Sequence, residues 1–414
     1  MTVAVFDDAP LYPLTHSRAG YSLVLGCFSL IERIQHYYTG TLTLYCPDYL
    51  SAITSQMYPD ASVNWLGDTH KVLFLNSRFI LDDKAVDTLA GYSSDHAYAI
   101  VSPEGDVLAI HATPKITLKL HDTILKQDFQ GLLPLCQSHC TVYNYTDGLI
   151  MRTPWDYTRH HERQLHRDMK HYNFGIIKSD IDTLAYIKND DAVFIDTGVI
   201  IEPFVFINTD AGPVYIEKNV VIKSHTRLEG PLYIGQNTQL LGGYIQSSRI
   251  GRFCKLKGDI SHSIIHDYTN KAHEGFIGHS YIGDWVNLGA GTTVSNLKTT
   301  YGLIRPETAT GRHRPIDQFL GACIGDHVKT AIGTCLNAGT SVGYGATLLG
   351  APPHHGYIPA FRWGESGQYQ SQRVHDFITA VSRMMARRNI SFRATDKKLV
   401  ALLFEKLEKL EKLC

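Results

Sequence analysis

The chain has 414 residues, a formal net charge of −1, 44% hydrophobic residues and 19% charged residues. That balance fits a globular chain with a large core and excludes a strongly basic nucleic-acid binder or a charge-rich disordered chain. The eight cysteines, at 27, 46, 136, 140, 254, 323, 335 and 414, form no Cys-x-x-Cys pair, so neither a zinc ribbon nor a disulfide framework is expected.

The N-terminus carries no basic stretch before its first apolar run and reads as a first strand, not a signal peptide. No apolar run approaches the roughly 20 residues needed to span a bilayer. The expectation is a cytoplasmic chain with no membrane and no nucleic-acid partner.

Residues 1–185 mix short apolar runs with helical spacing. Strands are expected at Val3–Phe6, Thr43–Tyr45, Val72–Leu75 and Ala97–Val101, and helices over Ser22–Gln35 and Asp156–Tyr172. Strands alternating with helices predict an α/β domain.

Residues 186–365 change character. Apolar residues recur every six positions at Ile216, Ile222, Leu228, Ile234 and Leu240. The series resumes at Ile250 and Leu256, at Phe276, Ile282, Leu288 and Val294, and at Ile324, Leu336, Val342 and Leu348. Glycine often follows directly, as in Ile234-Gly235 and Ile282-Gly283. A period of six fits neither a helix nor a plain strand and predicts a left-handed parallel β-helix with coils of about 18 residues. The spacing from Leu256 to Phe276 exceeds one coil, so a small insertion is expected there. A longer break over about 297–322 reads as an external loop.

Residues 366–414 read as helical. Leu403, Leu407, Leu410 and Leu413 form a stripe beside alternating Glu and Lys, which predicts a capping or intersubunit helix.

The segment richest in chemistry runs from His273 through Gly283-Asp284, Val286-Asn287-Leu288-Gly289-Ala290-Gly291-Thr292 and Asn296 to Lys298. It resembles, without gaps, the acetyltransferase domain of the bacterial bifunctional N-acetylglucosamine-1-phosphate uridyltransferase/glucosamine-1-phosphate acetyltransferase family. Leu11-Tyr12-Pro13-Leu14-Thr15, Pro154-Trp155-Asp156, Gly311-Arg312 and Gly325-Asp326-His327 resemble a subgroup common in Bacteroidetes-like bacteria. The resemblance is strong over about 270–345 and diffuse before 190. It implies a nucleotidyltransferase-like N-terminal domain, acetyl-CoA as cosubstrate, an amino-sugar phosphate as acceptor and a homotrimer.

The residue types suit that chemistry. An amino sugar is largely ammonium at neutral pH and needs a base before it can attack a thioester, and histidine has the right basicity. The developing oxyanion needs a donor, which an amide in the Gly289-Ala290-Gly291 turn can supply. The resemblance assigns the general base to His273, the sugar to Asn287 and Asn296, and the acetyl-CoA side to Ala290. Asn287 reads equally well as one rung of an asparagine ladder. Phe276 stands where the family has a tyrosine, and Gly302 where it has a lysine. Lys298 and Arg305 are the cations that could replace that charge.

Other signals are weaker. His161 and His166 are five apart, off one helix face, so no metal site is expected there. His354-His355 after two prolines reads as a surface turn. Cys254, Cys323 and Cys335 read as core filler.

The N-terminal domain lacks the expected phosphate loop. After the first strand come Asp7, Asp8, Pro10 and Pro13, with no glycine before Gly20, and Arg78 stands where a metal-binding aspartate is usual. Ordinary metal-dependent nucleotidyl transfer is therefore not expected, and Mg²⁺ enters only if that domain is active; Asp82 and Asp83 remain substitute ligands. Two alternatives stay open beside acetyl transfer. One is a sugar-1-phosphate nucleotidyltransferase, or a bifunctional enzyme, whose β-helix serves assembly. The other is a non-catalytic nucleotide-sugar-binding protein.

Overall fold

The computed structural model describes residues 2–67, 71–92, 96–350 and 352–411, with the side chains of 408–411 left out. Leu413, Lys412 and the Leu410 side chain of the leucine stripe lie outside the described residues.

The four apolar runs of the N-terminal part form strands because each is apolar on both faces and needs cover on both. They lie in a seven-stranded sheet ordered Thr141–Asn144, Tyr98–Val101, Val107–Ala112, Val72–Asn76, Thr2–Phe6, Leu42–Leu44 and Ser62–Val63. Thr2–Phe6 is central, buried throughout, and parallel to both neighbours. The Ser22–Gln35 expectation holds only for its second half. Val24–Leu25 and Phe28–Ser29 form a hairpin, and the helix begins at Leu30, capped by Ser29 and Glu32. The hairpin turns at Gly26 (φ 67°), where an added Cβ would lie 2.2 Å from Asp168 Oδ2, the acceptor of the Cys27 amide. Only glycine fits that turn.

Pro154–Asp168 is the long helix of this part, ending in a 3₁₀ turn through His171. The Pro-Trp-Asp motif starts it: Pro154 needs no donor in the first turn, and Asp156 accepts the amides of Arg152 (2.9 Å) and Thr153 (2.8 Å).

From Ile176 to Glu365 the chain winds as the left-handed parallel β-helix, starting ahead of the boundary expected at 186. Three short parallel strands per coil make three faces. The first carries Ile216, Ile234, Ile250, Ile265, Ile282, Ile324, Val342 and Ile358 inward. The second carries Leu228, Ile245, Ile260, Ile277, Val294 and Leu336. The third carries Ile222, Leu240, Leu256, Lys271, Thr330 and Leu348. Every aliphatic among them is at most 1% exposed. Each such side chain contributes about 1.5–3 kcal/mol by burial. Glycines such as Gly235 admit the next coil, since a Cβ there would meet Gly251 C at 2.7 Å.

Two expectations shift. Phe276 is half-buried and points outward, and Ile277 fills the core. No insertion precedes it: Leu256 pairs with Lys271, a coil of fifteen residues, so the chain shortens where an insertion was expected. The misreading arises because Lys271 occupies an aliphatic position. The break after Asn296 is real. Val294 stacks directly on Leu336; the segment after Asn296 leaves the coil, and the chain rejoins it at Cys323–Ile324 and Lys329–Thr330. His354 is no surface residue: it is wholly buried in the last coil, its Nδ1 2.5 Å from Tyr369 Oη. Cys254 fills the core, Cys323 is buried facing outward, and Cys335 is only half-buried.

The N-terminal domain packs on the first face. Outward-facing Ile264, Tyr281 and Cys323 join Leu11, Leu14 and Trp155 in one apolar cluster. Arg18 crosses this junction to Asp284 (2.5 Å) and Asp326 (2.7 Å). The Leu11–Thr15 and Gly325–His327 motifs are thus parts of one joint. The helices Val374–Ala386 and Ala394–Glu411 fold back on the same domain. Phe377, Val400 and Leu403 share the core of Leu30, Ile31 and Leu50, so within one chain this stripe clamps the N-terminal domain. No described helix is long and apolar enough to cross a membrane.

Candidate functional site

Each β-helix corner has its own chemistry. Between the third and second faces the turns are glycine-rich, with Gly258, Gly275, Gly291 and Gly333 at positive φ. His273 lies at this corner and is exposed. Gly291, one coil on, donates its amide to Glu274 O (3.0 Å), and Gly333 donates to Ala290 O (2.7 Å). His273 and the Ala290-Gly291 turn therefore share an edge, as the spacing implied.

The amides of that turn are not equivalent. Gly289 donates to Thr330, and Gly291 to Glu274. The amide of Ala290 has no partner among the described residues. Of the three, it is the one able to meet a substrate oxygen.

Sequence reasoning missed Lys271. Its side chain lies inside the coil, donating to Lys257 O (3.1 Å) and His273 O (2.9 Å). Burial pushes its ammonium down to about 8. It ties off two carbonyls that the shortened coil turns inward. The available signal was a lysine at an aliphatic position of the six-residue series.

Asn287 lies in the stack. Its Oδ1 accepts from Asn270 Nδ2 (2.9 Å), and its backbone bridges residues 270 and 329. This is the asparagine pair that the ladder reading describes.

Asn296 stands at the opposite end of the second face. Its Nδ2 is 2.8 Å from His279 Nδ1. His279 stacks on His262 (4.7 Å) and Phe319 (5.4 Å), and burial pushes its imidazole down to about 4. His262 in turn lies 3.4 Å from Glu162. Lys298 donates to Leu303 O (2.7 Å), closing the loop base, while Arg305 is exposed beyond buried Ile304. Within one chain His273 and the Asn296, Lys298 and Arg305 group are thus not brought together; the strand Phe276–Gly278 separates them.

The end of the central N-terminal strand holds a second polar cluster. Asp7 is half-buried, accepts from Gly20 N (2.8 Å) and Ser77 Oγ, and desolvation pushes its carboxyl up to about 6. Asp8 is paired with Arg78 (2.6 Å), and Arg78 reaches Asp106 (2.9 Å), which also holds Arg152 (2.6 Å). A divalent cation here would need carboxylates that Arg78 already occupies. Among the described residues no group of three His, Cys, Asp or Glu could hold a metal ion. Asp82 caps the helix from Asp83 by accepting from Ala85 N (2.9 Å), and Asp83 accepts from Tyr37 Oη (2.9 Å), so neither is arranged as a substitute. The residues present do not fit Mg²⁺. His161, set aside as a ligand, is wholly buried in the Pro154–Asp168 helix.

Residues 3–175 match the sugar nucleotidyl transferase family model. The chain is 32% identical over 101 residues to the bifunctional protein GlmU of Gloeobacter violaceus, covering 24% of this chain and 18% of that protein. It is 32% identical over 140 residues to the bifunctional sugar-1-phosphate nucleotidylyltransferase/acetyltransferase of Sulfurisphaera tokodaii, covering 32% and 34%. The chain thus spans about a third of the length of one of these relatives and less of the other. Among solved structures, an Arabidopsis UDP-N-acetylglucosamine acyltransferase aligns with 50% of this chain and 79% of its own, at 13% identity and a TM-score of 0.28. The chain is similar to GlmU-like bifunctional proteins, as its motifs imply, and the family match covers the domain for which the residue argument predicts no metal-dependent transfer.

Proposed function

We propose that this chain transfers an acetyl group from acetyl-CoA to the amine of an amino-sugar phosphate, at the corner carrying His273. The carrying observation is the Ala290 amide, without a partner among the described residues, on the edge that also bears an exposed histidine. His273 takes a proton from the substrate nitrogen. The nitrogen attacks the thioester carbonyl, and the Ala290 N–H donates to the oxyanion. One ammonium proton has already left to solvent, so the proton taken by His273 is the one the neutral amine sheds as it attacks. As the intermediate collapses the C–N bond stays, the C–S bond breaks, and the imidazolium returns that proton to the departing thiolate.

In this reading Asn296, Lys298 and Arg305 meet His273 across a subunit boundary of a homotrimer, with the two cations facing the phosphate. Symmetric closure would also bury outer faces of the β-helix that the N-terminal domain leaves open. Thiol release from acetyl-CoA over a panel of amino-sugar phosphates tests the reaction. Mixing inactive His273→Ala and Asn296→Ala chains under subunit exchange tests the shared site. Activity should reappear in the mixture, and silence of the mixture would reject sharing.

Sugar-1-phosphate nucleotidyl transfer is the second reading, favoured by the family match over 3–175. The Asp8–Arg78–Asp106 pairing argues against its metal-dependent form. Pyrophosphate release from UTP or dTTP with N-acetylglucosamine-1-phosphate or glucose-1-phosphate and Mg²⁺ decides it. Release that survives His273→Ala but is lost on changing Asp7 or Asp8 would establish a bifunctional enzyme.

A further inference from the structure

A cleft of about 620 Å³ lies where the N-terminal domain meets the first face of the β-helix, away from both the His273 corner and the Asp7 cluster. One wall is an aromatic column on successive coils. Phe194 stacks on Tyr215 (4.4 Å), and Tyr215 on Tyr233 (5.5 Å, 1° between planes). Tyr172 faces it from the opposite domain, 4.5 Å from Tyr215.

Arg249 opens into this cleft. It is 8% exposed, lies over the Tyr233 ring at 5.7 Å, and its Nε has no hydrogen-bond partner. Among the described residues no carboxylate pairs with it. The acids nearby are engaged: Glu217 by Tyr233 Oη and the Gln236 amide, Glu32 by Ser29, and Asp267 by Arg252. The neighbouring base offers no counter-charge, since both His161 nitrogens are buried without partners. Asp267 and Glu32 favour its charge from beyond pairing distance, but no anion meets the guanidinium itself, and a ligand can supply that direct contact.

We infer that this cleft binds a phosphate-bearing ligand with a stackable ring, of the sugar-phosphate or nucleotide class, its phosphoryl oxygens on Arg249. The guanidinium presents a two-pronged donor that matches phosphate. The ring lies against Tyr172 and the column. The ligand bridges the two domains, since Tyr172 belongs to one and Tyr215, Tyr233 and Arg249 to the other. The inference does not rest on acetyl transfer.

The test is equilibrium titration and thermal shift of the full chain with inorganic phosphate, glucosamine-1-phosphate and uridine monophosphate. The wild type should bind saturably and gain Tm. Arg249→Gln should weaken every ligand roughly tenfold or more, and Arg249→Lys less. Tyr172→Leu should weaken the ring-bearing ligands while sparing inorganic phosphate, which keeps the inference testable if the arginine variants fail to fold. Tighter binding of uridine monophosphate than of the sugar phosphate identifies a nucleotide site, and the reverse a sugar-phosphate site. Without ligand, Arg249→Met should match or exceed the wild-type Tm. Equal binding by wild type and Arg249→Gln overturns the inference, as does a fall in Tm with binding unchanged. His273→Ala should bind inorganic phosphate and uridine monophosphate as the wild type does, so its loss of acetyl transfer reads out separately.

Discussion

His273 and His279 stand at the two ends of one short strand, six residues apart in the same repeat, yet their surroundings differ. His273 is exposed at a glycine-rich corner, its carbonyl held from inside by Lys271 and its ring open to solvent. His279 is sandwiched between His262 and Phe319, bonded to Asn296, and held neutral by burial. A repeat places both histidines at corners. What stacks above and below decides which one can reach a substrate. The corner at His279 is crowded because the loop after Asn296 folds back over it, and the corner at His273 is open because glycines leave it bare.

The largest effect should separate the two directly. His273→Ala should lower kcat about 10²–10⁴-fold with the fold intact, and His279→Ala less than about tenfold, measured by thiol release. Equal losses, or loss only at His279, would move the base to the crowded corner.

Assembly comes next, because one chain keeps the two groups apart. Light scattering should give about three times the 46.3 kDa chain mass. A stable and active monomer would sink the shared site.

The loop offers a smaller effect. Arg305 is exposed, so its guanidinium is free to turn toward a phosphate brought by the substrate. Arg305→Ala should raise KM for the sugar phosphate about tenfold and leave KM for acetyl-CoA unchanged. An unchanged sugar-phosphate KM would leave Arg305 as a solvated loop charge.

The smallest effect concerns pH. Burial pushes His279 and His16 down to about 4 and His161 and His327 to about 3, from 6.5 when unfolded. Such groups take up protons more readily unfolded, so they impose no penalty above pH 6.5. The penalty grows as pH falls from 6.5 toward 4 and below. The urea midpoint should therefore fall over that window, and His279→Phe should make the fall shallower. An unchanged profile in the variant would show that His279 is not held neutral.

How much the sequence reveals differs between the two domains. The six-residue series identified the β-helix because a coil interior accepts only inward aliphatics, and that demand repeats at every coil. It slipped at Leu256–Phe276, where Lys271 takes an interior place and the coil shortens to fifteen residues. Lysine inside a β-helix is tolerable only where carbonyls turn inward to meet it, and no local pattern announces that. The spacing also put Gly291 on the His273 edge, because a near-constant coil length converts sequence distance into position.

The sequence alone therefore determined the architecture, the N-terminal strands and the segment in which the candidate chemistry lies. Each follows from periodicity or from a contiguous motif. Tertiary structure decided which corner is open and which amide of the Gly289–Gly291 turn is unspent. It also decided that Arg78 joins Asp8 to Asp106, and that Leu11–Thr15, Pro154–Asp156 and Gly325–His327 belong to one interdomain joint. These depend on partners tens to hundreds of residues away. Whether a histidine is buried, an amide bonded or an arginine paired is a property of packing, which a local pattern of residues does not encode.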